Sequence, residues 1–106
     1  MLNAIEFEFQ SHIWIFKSNK NGNAVTGSWH FISLPLELSV EIRSQMSWQE
    51  EGWGRLKVRA QLGGTIWNTA IWYDSKHTTY LLPIKSDVRK KEKLSPGDLV
   101  SIKLWI

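Results

Sequence analysis

Apolar and polar residues alternate from the start of the chain: Ile5, Phe7 and Phe9 against Glu6, Glu8 and Gln10. A period of two predicts a strand with one buried face. Ile13 and Ile15 keep that parity, while Trp14 and Phe16 add apolar groups on the other side. Lys17–Asn23 and Thr26–Ser28 lose all periodicity and are rich in Asn, Gly and Ser, which marks loop. Trp29–Leu34 is a second strand, ended by Pro35. In Pro35–Ser47 the spacing changes to that of a helix. Leu36, Val40 and Arg43 form one stripe, Leu38, Ile42 and Met46 the next, with Ser33 or Leu34 near the N-cap. Trp48–Gly52 connects to the clearest alternation in the chain, Trp53–Leu62. There Leu56, Val58, Ala60 and Leu62 face one way and Arg55, Lys57, Arg59 and Gln61 the other.

Gly63-Gly64 is a hairpin signal, and Thr65–Tyr73 returns as the partner strand. Asp74–Thr78 is a polar turn, Thr79–Leu82 a strand, and Ile84–Lys93 a short basic helix with Ile84 and Val88 inward. Ser95-Pro-Gly-Asp98 carries its own turn chemistry, since proline presets φ and glycine accepts positive φ. Leu99–Ile106 closes the chain as a strand. The order repeats. A long strand, a strand ending in Leu-Pro and a helix precede a last strand in both halves, about 1–62 and 65–106, and Val40 and Val88 each lie five residues after the proline. Two β-β-α-β units joined in one barrel remove the open sheet edges each would have alone. The expected fold is therefore mainly β with two short helices, in a single domain.

Composition changes this picture little. One domain is what 106 residues allow. Seven Trp, four Phe and two Tyr supply core volume. The absence of Cys excludes disulfides and thiolate chemistry and suits a reducing cytoplasm. The first residues lack the pattern of a signal peptide, and no apolar run approaches the ~20 residues of a membrane span. A net charge of +3 permits an anionic partner without requiring one.

Further order is carried by Trp29…Leu34-Pro35, Val58…Leu62-Gly-Gly-Thr-Ile-Trp67…Thr69, Tyr80-Leu-Leu-Pro83-Ile-Lys85…Val88-Arg89-Lys90 and Leu94-Ser-Pro-Gly97-Asp98…Val100. In these motifs, over nearly its whole length, the chain resembles the prokaryotic domain of unknown function 1905 family. The resemblance implies a double-split β-barrel, related in fold to the AbrB/MazE/MraZ transcription factors and antitoxins. In a single chain it would be a built-in pseudo-dimer, hence a monomer or weak homodimer. The family brings no biochemical activity with it.

Candidate chemistry is sparse. Arg55, Lys57 and Arg59 set three cations about 6.8 Å apart on one strand face, and Lys85 and Lys90 extend the basic set. Phosphate tracking is one reading. Cross-strand pairing with Glu6 and Glu8 is the plainer one. Arg89 and Asp98 suggest an ion pair or a carboxylate cap of the turn. Trp67, Thr69 and Trp72, with Arg89, are candidate ligand-binding residues, set against ordinary core packing. His12, His30 and His77 show no metal-ligand spacing, so no metal or cofactor is expected. Glu50 and Glu51 have no acid–base partner in view, and no nucleophile or phosphate-loop motif occurs. The functional expectation is a small cytoplasmic binding module with a protein, peptide or nucleic-acid partner. A DNA-binding regulator is the alternative, and an enzyme comes third.

Overall fold

The computed structural model describes residues 5–17 and 28–106. Among these residues the strands are β1 (Glu6–Lys17), β2 (Ser28–Ser33), β3 (Arg55–Leu62), β4 (Thr65–Asp74), β5 (Thr79–Pro83) and β6 (Leu99–Trp105), with helices α1 (Leu36–Met46) and α2 (Ser86–Glu92). The strands close into an antiparallel barrel in the order β1-β2-β5-β4-β3-β6. The expected mainly β barrel with two short helices is thus what the chain forms. Apart from their end residues Lys17 and Ser28, the loops expected over 17–23 and 26–28 lie outside the described residues.

Closure follows from pairing across the chain. β1 spends its first half on β6 (Phe7 opposite Leu104, Phe9 opposite Ile102) and its second half on β2 (Ile13 opposite Ile32). β3 pairs along its whole length with β4, and its last residues also pair with β6. β2 and β5 meet at Ile32 and Leu82. Their flanking bonds are reciprocal: Leu34 N donates to Tyr80 O at 2.9 Å, and Ile84 N donates to His30 O at 2.8 Å. His30 and Tyr80 therefore occupy matching places in their strands, as do Leu34 and Ile84.

The inward parity of each strand fills the barrel. Ile13, Ile32, Leu56, Ile71, Tyr80, Leu82, Ile102 and Leu104 are fully buried. Burying an aliphatic side chain of this kind stabilises by roughly 1.5–3 kcal/mol, so the alternation in β1, β3 and β6 is the main source of fold stability. Alternation also fixes register, because a one-residue slip would turn every such side chain to water.

Several expected details differ. α1 begins directly after Pro35, which caps it without a side-chain hydrogen bond. Its inward stripe is Leu38, Ile42 and Met46, joined by Ser39, whose hydroxyl accepts from Tyr80 N at 3.0 Å. Val40 is 60% exposed whereas Val88 is 2% exposed, so their equal spacing from proline does not make them equivalent. The reason is that α2 starts three residues after Pro83 and α1 only one after Pro35. α2 is also shorter than Ile84–Lys93. It ends at Glu92, and Lys93 caps it with left-handed backbone, φ 54°. Trp53 precedes β3 in a short 3-10 turn. At the hairpin only Gly63 has positive φ (59°), and a Cβ there would strike the Glu92 carboxylate of α2.

Candidate functional site

The outer face of the β3–β4 hairpin is a shallow trough of about 950 Å³. Register builds it. Arg55 lies opposite Trp72, Lys57 opposite Ala70 and Arg59 opposite Asn68. Ala70, the smallest of these, forms the floor between the longer side chains. One wall comes from the 3-10 turn Ser47–Gln49 that follows α1. It carries Trp48, which is 78% exposed, yet its indole N–H donates to Gln45 O at 2.9 Å. That bond holds the ring in place with its apolar surface in water. Trp72, also in the lining, is 40% exposed, and the Arg55 guanidinium sits 5.6 Å from its ring centroid, a cation–π distance.

Charge in the trough is mostly positive and partly compensated. Glu51 accepts from Arg55 at 2.5 Å and lies 3.5 Å from the Lys57 ammonium. The Arg55 hydrogen bond, then the Lys57 charge, hold its carboxyl below the usual glutamate range. Arg59 has no acidic partner within ion-pair distance among the described residues. The expected cross-strand pairing with Glu6 and Glu8 does not occur, because β6 lies between β1 and β3. Glu6 instead accepts from the Trp105 indole at 3.1 Å, and Glu8 faces Lys103. The compensating acid is Glu51, four residues before Arg55 and joined to it by an isolated β-bridge. Spacing alone did not reveal it, since the bridge depends on the turn at Gly52–Gly54.

A second, smaller cleft of about 180 Å³ opens between the start of β2, the end of β5 and α2. Trp29, His30, Thr69, Ile84, Lys85 and Arg89 line it. Arg89 donates from Nε to Ile84 O at 3.2 Å and places Nη1 3.4 Å from His30 Nε2. A guanidinium can only donate, so Nε2 accepts and the imidazole proton resides on Nδ1. Nδ1 is buried and has no partner among the described residues. Burial, then the Arg89 charge, lower the His30 pKa, which keeps the ring neutral. Arg89 and Asp98 do not pair. The Asp98 carboxylate accepts from Ser95 N at 2.8 Å and caps the turn.

The candidate residues therefore divide. Arg55, Lys57, Arg59 and Trp72 share the trough. Lys85 and Arg89 share the cleft. Thr69 borders both, and Lys90 lines neither. Trp67 belongs to the core cluster, its indole N–H buried without a partner among the described residues.

Glu50, without a partner in the sequence reading, has two. It pairs with Arg43 at 3.0 Å and accepts the Tyr80 hydroxyl proton. Burial, then the hydrogen bond to Glu50, raise the Tyr80 pKa far above the usual tyrosine value, so the phenol remains a neutral donor. Arg43 lies 3.7 Å above the Tyr73 ring. The members of this network are held by each other across 30 residues of chain.

No curated protein matches the chain. The family model for the domain of unknown function DUF1905 does match it, over residues 9–104, in agreement with the motif order along the strands and turns described above. The chain belongs to the DUF1905 family.

Proposed function

We propose that this domain is a binding module whose working surface is the trough on β3 and β4. The observation that carries this reading is that Arg55, Lys57 and Arg59 line one trough together with two exposed indoles, Trp48 and Trp72. Exposed aromatic side chains cost solvation and add nothing to the core, whereas the Trp48 ring is held in its exposed position by the bond to Gln45. Cations and flat rings on one surface suit a partner that carries anionic groups and flat rings together. Single-stranded nucleic acid has both, with phosphates for the cations and bases to stack on the indoles. Its recognition needs no recognition helix, which agrees with a surface made of strands and a turn. A trough of this size at the upper end of small-molecule sites, and open along its length, also favours an extended partner.

The test is tryptophan fluorescence with a short single-stranded oligonucleotide, repeated with duplex DNA and an acidic peptide. The reading expects quenching by the single strand that weakens with salt, with a log–log slope of about −2 for three phosphate contacts. Trp48→Ala should weaken binding by about tenfold, the scale of one lost stacking contact. Arg59→Gln should reduce the salt slope. Stronger binding to duplex DNA would move the reading to the regulator class. No saturable change with any of the three would remove the trough as a working surface.

A further inference from the structure

The matching places of His30 and Tyr80 allow the two barrel ends to be read against each other. At the α1 end, Tyr80 donates to Glu50, and the same carboxylate takes the Arg43 guanidinium. The order is ring donor, carboxylate, guanidinium. At the α2 end, His30 supplies a ring donor and Arg89 a guanidinium, and no carboxylate of the described residues lies with them. The chain explains the difference. Glu50 comes from the connection after α1, which runs through two 3-10 turns before β3. After α2 the chain turns at once through Lys93 and Ser95–Asp98 into β6, with no segment to supply an equivalent. Nearby acids are engaged or turned away. Asp98 caps Ser95 N, Glu92 accepts from Thr65 at 2.6 Å, and Asp87 is exposed in the first turn of α2. What stands there is the cleft.

We propose that this cleft binds a small organic carboxylate, which pairs with Arg89 at the α2 end as Glu50 pairs with Arg43 at the α1 end. Arg89 holds the carboxylate as a fork, Lys85 adds a second positive charge to the lining, and the neutral His30 ring fixes Arg89 through its Nε2. The walls select the rest of the molecule. Trp29, Pro83 and Ile84 are apolar, so a short hydrocarbon or ring attached to the carboxylate gains contact that a bare anion does not. A volume of about 180 Å³ lies below that of sites for drug-sized ligands, so the ligand is small. The site is separate from the trough, and neither proposal depends on the other.

The experiment is an NMR titration of the full chain with acetate, butyrate, benzoate and inorganic phosphate at constant ionic strength. Saturable shifts are expected at Thr69, Arg89 and the His30 ring. Butyrate should bind about tenfold tighter than acetate because two more methylenes are buried, and phosphate should be the weakest of the four. Arg89→Lys should weaken butyrate by about tenfold, since a lysine keeps the charge and loses the fork. Arg59→Gln, in the trough, should leave butyrate binding unchanged. Absence of saturable shifts with every carboxylate overturns the proposal. So does phosphate binding as tightly as butyrate, a set of shifts centred on Trp48 and Trp72, or an Arg89→Lys chain that binds butyrate as the native one does. Should Arg89→Lys not fold, the ranking of the four anions on the native chain decides alone.

Discussion

The two ends of the barrel use the same parts to different effect. Each has a strand that runs into a helix, a ring residue at the matching place, and an arginine from the helix that follows. At the α1 end the polar groups satisfy one another. Tyr80, Glu50 and Arg43 form a closed network over the Tyr73 ring, with Ser39 fixing the backbone of Tyr80. At the α2 end the set is one group short. His30 gives its lone pair to Arg89 and has no acceptor for its proton among the described residues. A buried donor without a partner costs roughly 1–3 kcal/mol. The complete end holds the structure, and the incomplete end is where the proposed carboxylate site lies.

The largest test of this contrast is Glu50→Ala. It takes the acceptor from a buried phenol and the partner from Arg43, and should lower stability by about 2–3 kcal/mol in chemical denaturation. A loss no greater than that of an ordinary surface substitution would show that the α1 network is not structural. Next is the turn that replaces the Glu50-bearing connection. Gly97 has φ 92° although nothing lies near a Cβ built there, so strain and not collision opposes a side chain. Gly97→Val should cost about 1–2 kcal/mol, and Gly52→Val, where space is open and φ is not positive, less than about 0.5 kcal/mol. Equal melting temperatures for the two would place the sharp turn elsewhere.

His30→Leu should be nearly silent. It removes the contact with Arg89 and also a buried donor that has no acceptor, and the net change at neutral pH should stay within about 0.5 kcal/mol. A loss as large as that of Glu50→Ala would erase the distinction between the ends. The smallest expected effect is in the pH dependence. His30 has a folded pKa below its unfolded one, so between the two the unfolded chain binds more protons. Its contribution is fully present above about pH 6.5 and is lost as pH falls toward the folded value. The native chain should therefore destabilise on acidification in that window, and His30→Leu should lose that part of the slope.

Much of the frame was legible from local pattern. The alternation in β3 placed Leu56, Val58, Ala60 and Leu62 inside and Arg55, Lys57 and Arg59 outside, because a period of two leaves a strand no other arrangement. Ser95–Asp98 was legible because proline and glycine restrict the backbone by themselves. The sites were less so, because their contacts join residues far apart. His30 meets Arg89 across 59 residues and Glu50 meets Tyr80 across 30. Local spacing carries no sign of such pairs. The false match of Val40 with Val88 has the same origin, since counting from proline does not tell when a helix begins. Glu6 and Glu8 match the basic face in spacing, but spacing does not place β6, the last strand in sequence, between β1 and β3.

The most direct measurement is the protonation and tautomer of His30 by long-range ¹H–¹⁵N NMR on the native chain near neutral pH, without added anion. A guanidinium on Nε2 and a buried, unpartnered Nδ1 require a neutral ring with its proton on Nδ1. That is the result predicted. An imidazolium, or a neutral ring with its proton on Nε2, would contradict the account, because the α2 end would then lack the free donor that distinguishes it from the α1 end.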